Sequence, residues 1–128
     1  MSALYESRDA AMAAADKLKV FAQPQRLMIL SCLLRSERNV GEIAEATGIG
    51  QPALSQQLAE LRRAELVRTR RESKQVWYAL ANDGVVLCVR NMEAIFGGSG
   101  IPDELPLADA PPEPEATSEG VARFARIL

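Results

Sequence analysis

Between Gly48 and Leu80 the apolar residues change their period once, and that change limits what the chain can fold into. Leu54, Leu58 and Leu61 stand at i, i+4 and i+7, the spacing that gathers side chains on one face of a helix. After Leu66 the pattern alternates. Val67-Arg68-Thr69-Arg70-Arg71 and Gln75-Val76-Trp77-Tyr78-Ala79-Leu80 read as two strands. Glu72-Ser73-Lys74 is the expected hairpin turn between them, and with no Asn-Gly pair its type stays open.

The leucine helix is expected from Pro52, which suits a first turn, to about Ala64. Before it, Asn39 is placed to cap a helix over Val40 to Thr47, with Glu42 in its first turn. Gly48 is a natural stop, and Ile49-Gly50 completes a short connection. Further upstream, Gln25 to Leu34 is apolar nearly all round after Pro24 and should be central and buried. An alanine-rich first helix covers about Ser7 to Ala22, with Ala11, Ala14, Ala15, Leu18 and Phe21 on one side. Asn82 or Asp83 can cap a last helix ending near Phe96. The expected fold is therefore mainly α with a small β-hairpin, in the order α-α-α-α-β-β-α, with a domain over residues 1–96.

Residues 97–128 are rich in Gly, Pro, Ala and acid and read as a flexible tail. Val121 to Leu128 is too short for a helix stable alone. The tail also explains the charge. Up to Phe96 there are 13 Lys and Arg against 11 Asp and Glu, a net of +2, whereas the remainder has 2 against 6, a net of -4. The overall -2 thus leaves the body open to a polyanionic partner. Six basic and two acidic residues fall between Arg62 and Lys74. Such a run alone is more often a solvated face.

Without histidine the chain has no His-based triad, general base or His-containing metal site. The N-terminus lacks the layout of a secretory signal, and no apolar run approaches a membrane span. A cytoplasmic protein with its two cysteines reduced is the simple expectation. No CxxC pair or base-activated cysteine supports a thiol enzyme, and no cofactor is indicated.

Two helices joined by a glycine turn and followed by a basic hairpin make a winged helix-turn-helix. With its leucines in the core, the fourth helix leaves Gln51, Ser55, Gln56 and Gln57 as base-reading candidates, because Gln can pair bidentately with adenine in the major groove. Pro52 and the free N–H groups at the helix start can sit against the phosphate backbone. Arg62, Arg70, Arg71 and Lys74 are the expected phosphate contacts, with Arg68 and Gln75 near the adjacent backbone or minor groove. The rival reading is a winged helix used only for protein contacts.

The stretches RLMILSCLL, VGEIAEATGIGQPALSQQLAELRRAELV and RTRRESKQVWYAL resemble the ArsR/SmtB family of dimeric bacterial repressors. The resemblance covers roughly Leu18 to Phe96 and implies double-stranded DNA as the partner, through a roughly palindromic operator that is released when an inducer binds. It also implies dimerisation through the first and last helices, which puts Leu18, Val85, Val89, Met92 and Ile95 at the seam. The family's arsenic-type Cys-x-Cys site would fall at Asn39 and Gly41, and its zinc site needs histidine, so neither is expected.

By GQPALSQQL and ESKQVWYAL the chain is similar to the thiol-switch branch, the BigR/SqrR type. That branch has one cysteine on the second helix and one on the last, as this chain has Cys32 and Cys88. The register differs. The branch's first cysteine matches Ser31, and its second lies nearer Gly97 than Cys88. One residue is about 100° of helix rotation. Cys32 and Cys88 are therefore sensing candidates set against two other readings: packing as small hydrophobes, or a thiophilic metal or metalloid site completed by the partner subunit.

Overall fold

The computed structural model describes residues 3–97. Apart from Gly97, the expected tail and its Val121–Leu128 segment lie outside the described residues. A 3-10 turn at Leu4–Glu6 leads into α1 (Arg8–Phe21), α2 (Pro24–Arg35), a two-residue strand β1 (Arg38–Asn39), α3 (Val40–Thr47), α4 (Ala53–Arg63), β2 (Val67–Glu72), β3 (Gln75–Leu80) and α5 (Asp83–Phe96). The fold is mainly helical with a small antiparallel sheet, a winged helix-turn-helix. Neither the 3-10 turn nor β1 announces itself in the sequence, because two or three residues are too few to show a period.

Each helix begins where a side chain can take up a free N–H. The Ser7 hydroxyl accepts from the Ala10 amide, the Gln23 side chain from Arg26, and the Asn82 side chain from Val85. At α3 the cap is reciprocal: Asn39 Oδ1 accepts from the Glu42 amide at 2.8 Å and the Glu42 carboxylate from the Asn39 amide at 3.3 Å. Gly48 ends α3 in the left-handed region, with φ 75°, where a Cβ would cost energy.

Ile29, Leu30, Ile43, Leu54 and Leu61 are the largest fully buried side chains, and they come from α2, α3 and α4. The leucine stripe of α4 therefore points inward as its spacing predicts. Helix α2 departs from expectation. Ile29, Leu30, Cys32 and Leu33 are buried, yet Leu27 and Met28 are 37% and 46% exposed, so the helix is central on one side and open on the other.

In the sheet β3 lies between β1 and β2. Val67 pairs with Leu80 and Glu72 with Gln75, so the hairpin turn is only Ser73–Lys74. Ser73 takes a positive φ of 57°, which helps so short a connection reverse the chain. Arg38 pairs with Tyr78 and Asn39 with Trp77, which stitches the start of α3 to the hairpin.

Candidate nucleic-acid interface

Helix α4 presents its polar side opposite Leu54, Leu58 and Leu61. Ser55, Gln56 and Arg62 are exposed there, with Gln51 and Pro52 exposed just before the helix. Pro52 is the N-cap and offers no side-chain bond. Gln51 supplies one instead: its Oε1 accepts from the Ser55 amide at 3.1 Å and the Ser55 hydroxyl at 2.7 Å. Gln56 has no side-chain partner among the described residues, so its amide is ready for an external edge.

Gln57 departs from the sequence expectation. It is half-buried and turned back to α2, accepting from Arg26 Nε at 2.7 Å and donating to Gln25 at 3.4 Å. Arg26 also donates to the Val20 carbonyl, at 3.3 Å. One guanidinium thus joins the end of α1 to α4. In this geometry Gln57 is turned toward α2 and away from the exposed face of α4.

The hairpin carries its cations in two states. Arg70 donates to both oxygens of Glu37 at 2.8 Å, donates to Glu72 at 2.7 Å, and lies 5.6 Å from the Trp77 ring centroid. These bonds hold the Glu37 carboxyl below the usual carboxylate range and keep Arg70 protonated. Arg70 is therefore internally compensated. Arg68, Arg71 and Lys74 are exposed and, like Arg62, have no carboxylate within ion-pair distance among the described residues. Gln75 accepts from Asn39 Nδ2 at 2.6 Å. Asn39 consequently caps α3 and anchors the wing with the two ends of one amide. Nothing local in the sequence marks Arg26 or Glu37 for these roles, since their partners lie 31 and 33 residues away.

The two cysteines face different surroundings. Cys32 is buried, and burial pushes its thiol up despite nearby Arg38 and Arg35. It borders an open groove of about 610 Å3 between α2 and α5. Cys88 is half-buried and borders a separate depression with Lys17, Phe21 and Glu65. Beside Cys32, Ser31 donates to the Glu93 carboxylate, and Arg35 donates to the same carboxylate at 2.7 Å. Arg35 first and Ser31 second hold Glu93 below the usual carboxylate range. Ser31 is thus committed to a polar cluster. No group of three or more Cys, Asp or Glu among the described residues is placed to hold a metal ion.

The seam expected from the first and last helices is only partly open. Leu18 and Ile95 are 55% and 57% exposed, and Met92 is half-buried. Val85 and Val89 instead point into the chain's own core, because α5 packs on α2 and the sheet through that side. The apolar surface left outward on these helices is Met12, Leu18, Leu87, Ile95 and Phe96.

The sequence profile of the bacterial regulatory proteins of the arsR family matches residues 23–69, from the cap of α2 into the wing. The Biofilm growth-associated repressor of Agrobacterium fabrum is 47% identical over 79 residues, covering 62% of this chain and 68% of the relative. The chain belongs to the ArsR family. Among solved structures, this ArsR-family chain resembles the transcriptional repressor BigR from Xylella fastidiosa, with 38% identity and a TM-score of 0.66 over 73% of this chain and 93% of that one. It also resembles a homodimeric winged helix-turn-helix DNA-binding domain from Mycobacterium bovis, with 34% identity and a TM-score of 0.61 over 68% and 82% of the two chains. It is an ArsR-type transcriptional regulator. None of its described helices is long and apolar enough to cross a membrane.

Proposed function

We propose that this chain is a cytoplasmic homodimeric repressor that holds a roughly palindromic double-stranded operator and releases it in response to an inducing signal. The observation that carries the reading is a set of exposed side chains without hydrogen-bond or ion-pair partners among the described residues: Gln56 and Arg62 on α4, and Arg68, Arg71 and Lys74 on the wing. Gln51 and Ser55 are exposed at the start of the same helix and joined by a hydrogen bond. Met12, Leu18, Leu87 and Ile95 on α1 and α5 supply the dimer surface, which accords with the homodimeric relative. Two such protomers would set their reading helices one helical turn apart, about 34–36 Å.

The test is electrostatic. Arg71→Ala with Lys74→Ala is expected to weaken binding to operator and unrelated DNA alike, and to flatten the plot of log affinity against log salt by about one per lost phosphate contact. Arg70→Ala, which removes an internally paired cation, should change that slope less. Anisotropy titrations across a salt series read both. Affinity indifferent to salt in the unmutated protein would leave the winged helix as a protein-contact module.

Cys32 and Cys88 serve as packing residues in this reading. Burial keeps the Cys32 thiol protonated, and the two sulfurs open onto separate depressions. Peroxide or polysulfide treatment is expected to leave operator affinity unchanged. A loss of affinity that dithiothreitol reverses, and that Cys32→Ser abolishes, would establish the thiol switch instead.

A further inference from the structure

The groove between α2 and α5 has an apolar wall and one cation left unneutralised. Leu27, Met28, Met92 and Phe96 line it, and Cys32 lies at its edge. Its volume of about 610 Å3 falls within the range of about 300–1,000 Å3 typical of sites for small organic ligands. Two guanidiniums border it. Arg35 is committed to Glu93 and to the Ser31 carbonyl, the latter at 2.9 Å. Arg38 is half-buried, and only its Nε is engaged, donating at 3.4 Å to the Cys32 carbonyl. The remaining N–H donors of Arg38 have no partner among the described residues.

No carboxylate lies within ion-pair distance of Arg38 among the described residues. The Cys32 thiol is neutral because burial raises it. A half-buried guanidinium beside apolar surface asks for a ligand with an anionic head and an apolar body.

We propose that this groove binds a small carboxylate with an apolar tail, its head on Arg38 and its tail along Leu27, Met28, Met92 and Phe96. A carboxylate can take two of the guanidinium's N–H donors at once, whereas an alcohol of the same length can take one and brings no charge. The site involves none of the residues of the DNA face, so its existence does not depend on how the chain reads DNA.

The experiment titrates the full-length protein, without DNA, with decanoate and separately with decanol below their aggregation limits. Calorimetry measures affinity, and backbone amide shifts locate the ligand. Decanoate is expected to bind saturably, at least about tenfold more tightly than decanol, with shifts confined to α2, the α2–α3 connection and the end of α5. Arg38→Gln should remove most of that preference and Arg38→Lys should keep part of it, with circular dichroism confirming that both fold. The alcohol comparison holds in the unmutated protein even if a variant fails. Equal affinity for the two ligands, no saturable binding, or shifts on another face would overturn the proposal. So would groove signals that move with protein concentration and exclude decanoate, which would mean that a second copy of the chain covers the site.

Discussion

Gln56→Ala is expected to lose about 1–3 kcal/mol of discrimination between operator and scrambled DNA at each half-site, the worth of one bidentate base contact. A two-fold dimer loses that contact twice. The argument rests on which polar side chains of α4 are uncommitted. Gln51 and Ser55 bond each other, and Gln57 is held by Arg26 and Gln25. Gln56 alone among the four presents an amide with no side-chain partner among the described residues. Because the lost group is neutral, the salt dependence of binding should stay as it was. Gln57→Ala is the control: it should disturb the packing of α4 on α2 and lower all affinities together. Anisotropy against both DNA sequences at one fixed salt concentration reads the difference. If Gln56→Ala keeps its full preference for the operator, the helix reads through another residue.

The contrast between Gln56 and Gln57 also marks how far the sequence is legible. Leu54, Leu58 and Leu61 declare their helix and its buried face because their information is a spacing. Asn39, Glu42 and Gly48 declare the limits of α3 because capping is local chemistry completed within a few residues. The alternation after Leu66 likewise declares β2 and β3. What stays hidden is every role settled by a distant partner. Gln57 is drawn inward by Arg26, and Arg70 is neutralised by Glu37, each pair more than thirty residues apart. Helix α5 shows a second kind of limit. It is apolar over much of its circumference, so its stripe does not say which half faces home. The chain's own core takes Val85 and Val89, and Leu87, Ile95 and Phe96 are left outside. The groove was hidden for the same reason, since the nearly all-apolar α2 conceals that Leu27 and Met28 face an open side.

Leu61→Ala is expected to cost about 2–5 kcal/mol of stability, the usual effect of emptying a fully buried leucine site. Leu61 is fully buried in a core cluster to which all five helices and the hairpin contribute. A domain of this size has about 5–15 kcal/mol in all, so the loss should lower the thermal midpoint by at least about 10 °C. Wild type and variant must be compared at one protein concentration, because a dimer's midpoint moves with concentration. Chemical denaturation followed by circular dichroism gives the free-energy difference directly. A cost below about 1 kcal/mol would mean that α4 is not anchored through this stripe. The informative comparison is with Gln56→Ala. Gln56 and Leu61 share one helix but face opposite ways, so the glutamine should govern base preference with little change in stability. The leucine should govern stability, while its folded molecules still prefer the operator when cooled. Two separable effects from a single helix would establish that α4 is held from behind by its leucines and reads with the face left over.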